Sequence, residues 1–85
     1  MKMRKDQIPE FVEEILATGC PICAVGREMY VFAEIDLPEE VMERVSAEVQ
    51  AICQRYGDRD HLRHDIVAHL WSLGRFVDLT GEVLH

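Results

Sequence analysis

Apolar side chains at Ile8, Phe11, Val12, Ile15 and Leu16 recur at helical spacing through "DQIPEFVEEILATG" and lay one stripe along an amphipathic helix. Asp6 or Gln7 stands where a cap belongs, Pro9 fits the first turn, and Gly19 supplies a left-handed stop. The pattern then changes. Through "PICAVGREMYVFAEIDL" β-branched and aromatic residues crowd together, and Gly26, Arg27 and Glu28 split the run into two extended pieces, which predicts a hairpin. In the second piece Met29, Val31, Ala33 and Ile35 alternate with Tyr30, Phe32 and Glu34, so both faces are largely apolar. Such a strand is covered on both sides or pairs across an oligomer interface.

"DLPEEVMERVSAEVQAICQRYG" opens on Asp36 and Pro38 and carries Glu39 and Glu40 in its first turn, where the helix dipole favours anions. Val41, Val45, Val49, Ile52 and Tyr56 form its stripe, Met42 and Cys53 flank it, and Arg55, Tyr56 and Gly57 end it. A third helix follows in "DRDHLRHDIVAHLWSLG", capped at Asp58 or Asp60 and stopped near Gly74. Leu62, Ile66, His69, Leu70 and Leu73 share one side, and Val67 and Trp71 widen it. So broad an apolar side predicts the most buried helix of the three. "RFVDLTGEVLH" reads as a short strand, a turn at Thr80 and Gly81, and a fraying tail. "IPEFVEEIL" and "LPEEVMERV" share a hydrophobe, Pro, Glu and then Val four positions after that hydrophobe, but beyond these nine positions the likeness vanishes. They are two uses of one helix start rather than a duplicated unit.

The order is helix, hairpin, helix, helix, with an optional C-terminal strand. It predicts an α+β fold, three helices packed on an antiparallel β-hairpin. A chain of 85 residues holds one core, so residues 1–85 read as a single domain with a flexible basic lead at 1–5 and a fraying tail at 80–85. The 48% apolar fraction is rich enough to fill that core. On so small a body it also leaves apolar surface that a second copy or another partner could cover, which admits a homodimer.

Charge narrows the partners. Nine basic residues stand against sixteen acidic ones, for a net charge of -7, and three of the nine basic residues lie in the first five positions. A field of that sign repels phosphate backbones and anionic membranes, so nucleic acid and membrane are not expected, and a protein with a basic surface or a cation is. The acidic stretch from Glu34 to Glu48 does not have the spacing of a calcium loop. No run approaches the roughly 18 apolar residues of a membrane span. "MKMRKDQ" leads to a proline and an acidic helix rather than an apolar signal core, so a cytoplasmic location is expected. Three cysteines, an odd number, point to reduced thiols.

Two constellations could carry chemistry. In "TGCPICAVG" Cys20 and Cys23 have the C-P-x-C spacing of a thiol oxidoreductase, whose first thiolate is activated at a helix N-terminus that follows a strand. Here a helix precedes Cys20 and a strand follows Cys23, so that activation is missing. The same spacing serves a zinc knuckle that needs two further ligands. "RDHLRHD" offers His61 and His64, three apart on a helix start, and Cys20, Cys23, His61 and His64 would then clamp the hairpin to the third helix around zinc or iron. Cys53 and His69 are further donors. Against both stands the packing of free cysteines as small buried hydrophobes.

Asp60 with His64, and Asp65 with His69, are i, i+4 pairs in which a carboxylate could orient an imidazole. Ser46 and Ser72 lie inside helices without a glycine-framed turn, and no glycine-rich loop cradles phosphate. The expectation is a small acidic protein-interaction or regulatory domain without catalytic activity. The metal-binding accessory protein and the thiol oxidoreductase are its alternatives.

Overall fold

The computed structural model describes residues 2–32 and 37–77. Helix α1 (Ile8–Ala17) leads into strands β1 (Ile22–Val25) and β2 (Met29–Phe32), followed by helix α2 (Glu39–Tyr56), helix α3 (Arg63–Ser72) and strand β3 (Phe76–Val77). The class is α+β, as the pattern predicts. The hairpin is only part of the sheet: β1 pairs antiparallel with β2 and parallel with β3, giving a mixed three-stranded sheet of order β2-β1-β3. Strand β1 is central because Ile22, Cys23, Ala24 and Val25 need no solvent on either edge.

Local chemistry sets the turns. Gln7 precedes α1, and its Oε1 accepts from the Arg4 backbone N–H at 2.8 Å. Pro9 lies in the first turn, and Gly19, at φ 99°, ends the helix in the left-handed region. Between β1 and β2 the chain reverses through Gly26 at φ 65°. That turn is fixed from below, because Trp71 Nε1 donates to the Gly26 carbonyl at 2.8 Å. The third helical segment opens with a 3₁₀ turn at Asp60–Leu62, and Asp58 Oδ1 accepts from the Asp60 backbone N–H at 3.1 Å.

All three helices supply the core, together with one face of the sheet. Phe11, Ile15, Ile22, Ala24, Ile66 and Leu70 are completely buried. Each of the large ones among them contributes about 1.5–3 kcal/mol relative to an exposed position. Helix α3 packs against β1, β2 and α1, while α2 rests on α1 through Val45, Ile52 and Tyr56. Phe11 meets Tyr56 edge to face at 5.4 Å between ring centroids.

Two expectations need correction. Residues 1–5 are not a loose lead over their described part: Met3 is 1% exposed, its N–H donates to the Asp58 carbonyl at 2.8 Å, and Lys2 bridges to Asp58. A thioether buried in the core outweighs the three nearby cations, which stay in solvent. Helix α3 is central in position but does not stand alone in burial. It buries Ile66, Val67 and Leu70, whereas α1 buries Ile8, Phe11, Val12 and Ile15. Leu73, read as part of its stripe, is 49% exposed because α3 ends at Ser72 and the chain turns away. The tail at 80–85 lies outside the described residues.

Candidate functional site

The helices cover one side of the sheet only. Residues directly paired across strands share a face, and the register pairs Cys23 with Val31, Val25 with Met29, and Val25 with Val77. These five side chains form the side of the sheet away from the helices. Met29, Val31 and Val77 are 50%, 36% and 50% exposed, and Cys23 and Val25 are half-buried between them. None of these five is charged, and at their border Arg75, just before β3, donates from Nε to the Ile22 carbonyl at 3.0 Å. The opposite face carries Ile22, Ala24, Tyr30 and Phe32, which pack into or against the core. The molecule thus offers an open apolar sheet face, of the kind that marks an interaction surface.

A second feature borders it. Strand β2 is the outermost strand, with β1 as its one sheet neighbour among the described residues. Beside it runs a groove of about 300 Å³ lined by Met29, Tyr30, Phe32, Arg59, Asp60 and Arg63. Arg59 is half-buried: its Nε donates to the Tyr30 hydroxyl at 3.1 Å, and its guanidinium lies 5.3 Å from the Phe11 ring centroid and 5.9 Å from that of Phe32. Such cation–π placement holds an arginine without a carboxylate. Arg63 is exposed on the same rim. Neither guanidinium makes an ion pair among the described residues.

The residues singled out in sequence are placed apart by function. Cys20 is buried just after α1, where its N–H donates to Thr18 Oγ1 at 3.2 Å. Burial, and then the neighbouring Cys53, push its thiol up, the direction opposite to an activated nucleophile. Cys23 stands on the outer sheet face. His61 Nε2 lies 3.0 Å from the Met3 carbonyl, so it fastens the N-terminal segment. His64 Nε2 lies 3.1 Å from Glu28 Oε1 and links α3 to the hairpin turn. Among the described residues no group of three or more His, Cys, Asp or Glu side chains could hold a metal ion. The expected i, i+4 partners are also exchanged: His64 takes Glu28 instead of Asp60, and Asp65 faces Lys5 at 3.7 Å instead of His69. His69 lines a shallow cleft with Pro9, Val12, Glu13, Leu16 and Leu73.

One polar cluster has no signal in the sequence. The Tyr56 hydroxyl donates between Glu10 Oε1, at 3.1 Å, and Glu14 Oε2, while Arg55 pairs with Glu14. Burial first, then the two carboxylates, push the Tyr56 phenol up to about 12. The Tyr56 hydroxyl first, opposed by burial and helped by Arg55, holds Glu14 below the usual carboxylate range. This cluster ties α1 to α2. At the far edge of the sheet, Trp71 stacks on Phe76 at 3.8 Å and carries Arg27 over its ring at 4.0 Å.

Fold and surface together define a small α+β domain whose described residues leave one sheet face and the outer edge of β2 uncovered. The chain belongs to the Y4lK family, which matches residues 6–78. It is 44% identical over 80 residues to the uncharacterized protein y4lK of Sinorhizobium fredii (strain NBRC 101917 / NGR234). That match takes in 94% of this chain and 61% of the relative, so the chain spans about three-fifths of the relative's length. No solved structure matches. No helix among the described residues is long and apolar enough to cross a membrane.

Proposed function

We propose that this chain is a protein-interaction domain without catalytic activity, working in the reducing cytoplasm, and that it docks a second copy of itself through the outer face of the sheet. The observation that carries the reading is the row Cys23, Val25, Met29, Val31 and Val77, apolar across all three strands and uncovered by any described element. Charge favours a second copy as the occupant. Two chains of net charge -7 repel wherever their carboxylates meet, and among the described residues the row on this face holds no carboxylate. An apolar face is also complementary to itself, as a two-fold interface requires. The odd count of three cysteines, none bonded to another, supports the compartment.

Sedimentation of the full chain from micromolar to millimolar concentration tests it. The expected result is a rise from 9.8 kDa toward twice that mass, abolished by the double variant Val31→Glu, Val77→Glu. The double variant should keep the helical circular dichroism of the parent, because neither side chain enters the core. A parent that stays monomeric at millimolar concentration overturns the proposal.

A further inference from the structure

We infer that the free edge of β2, together with the Arg59 and Arg63 groove, binds an extended peptide segment in which apolar and acidic residues alternate. The inference rests on the reading of the chain as an interaction domain but uses the strand edge and groove, which adjoin the dimer face at Met29 and Val31. Three observations converge. The edge strand Met29–Phe32 carries neither a charged side chain nor a proline, the residues that shield exposed edges from pairing. Its backbone is therefore open to strand addition, in which main-chain hydrogen bonds supply affinity and alternate side chains supply specificity.

The two sides of an added strand would meet different chemistry. On the outer side its residues would continue the row of Met29 and Val31, which calls for apolar side chains. On the helix side they would lie over Tyr30 and Phe32 and reach the groove, where two guanidinium groups stand against the single carboxylate of Asp60. Arg59 is pre-positioned there by Tyr30, Phe11 and Phe32, so little side-chain freedom remains to be lost on binding. In a chain of net charge -7 a groove with excess positive charge selects an acidic segment by complementarity. A second copy of β2 fits less well, since antiparallel pairing about a two-fold axis would bring both pairs of arginines toward one another.

The test is titration of isotope-labelled protein with an end-blocked eight-residue peptide of alternating valine and glutamate, and with its counterpart carrying lysine for glutamate. The expected result is amide shifts concentrated in residues 29–32 with the glutamate peptide and none with the lysine peptide. Arg63→Gln should weaken binding about tenfold, since a hydrogen bond to a charged group contributes on that order. Arg63 is exposed and makes no bond among the described residues, so this variant should fold as the parent does. Val77→Glu, which breaks the proposed dimer face, should bind the peptide as the parent does, so the two readings fail separately. Equal binding of both peptides, an unaffected Arg63→Gln, or no shift in residues 29–32 overturns the inference. Backbone contacts between β2 of one chain and β2 of another, detected without peptide in a mixture of differently labelled copies, overturn it in favour of a second copy.

Discussion

The two faces of the hairpin are built from nearly the same amino acids and do opposite things. On the helix side Ile22 and Ala24 are completely buried and Tyr30 and Phe32 close over the core. On the other side Cys23, Val25, Met29 and Val31 are no more polar, yet Met29 and Val31 stand half and a third open to solvent. The difference comes from coverage. Helices α1 and α3 pack on one side of the sheet and α2 rests on α1, so the second apolar face has nothing within the described residues to bury it. Apolar alternation therefore identifies a strand that wants two covers, while only the arrangement of helices says which cover must come from outside.

The largest expected effect separates the two faces directly. Ile22→Ala should cost about 2–5 kcal/mol by urea denaturation, because it removes a completely buried side chain and leaves a cavity. Val31→Ala, measured at a concentration where the chain is monomeric, should stay within about 0.5 kcal/mol, as for a surface position. Equal costs at the two positions would erase the distinction between a core face and an interface face.

A smaller effect probes whether the helix side is as closed as this comparison requires. The Tyr56 phenol is pushed from 10.0 up to about 12 by burial and its carboxylate neighbours. The folded chain therefore keeps a proton that the unfolded chain has already released above the ordinary value. The stabilising contribution is complete below pH 10 and is lost as pH rises toward about 12. Stability measured across that range should fall more steeply in the parent than in Tyr56→Phe. At neutral pH the variant should lose about 1 kcal/mol, the usual worth of one hydrogen bond. Parallel curves would mean that the phenol ionises as it does in water.

The smallest effect reads the same contrast through sulfur. Cys20 is buried with its thiol pushed up, and Cys23 sits half-open on the outer face. Alkylation of the monomer at pH 8 should modify Cys23 first and reach Cys20 only on unfolding. Raising the protein concentration should slow the reaction at Cys23 if the outer face is the dimer contact. Reaction at Cys20 ahead of Cys23 would place the buried face on the wrong side.

Much of the fold is legible because its signals are local. The stripes of α1 and α2, Gly19 and Gly57 at helix ends, and the Gly26 turn each follow from a few neighbouring residues. Strand β3 is faint in sequence, since two residues carry no periodicity and Phe76 and Val77 are fixed by pairing with Ala24 and Val25. The outer sheet face was half legible: alternation named Met29 and Val31 but not the side that stays open. The groove was not legible at all, because Arg59 acquires its setting from Phe11, Tyr30 and Phe32 on two distant elements. The histidines mislead for the same reason. Spacing suggested partners one turn away, whereas His61 and His64 take theirs from the N-terminal segment and the hairpin turn.

By itself the sequence determined the class of the fold, the positions of its helices and hairpin, and a strand with two apolar faces. These depend on periodicity and turn chemistry, which act over a few residues. The tertiary structure decided which sheet face is core, which edge is free, and that two arginines share a groove in an acidic chain. Those outcomes depend on contacts between segments far apart along the chain, and no local pattern encodes which distant segments will meet.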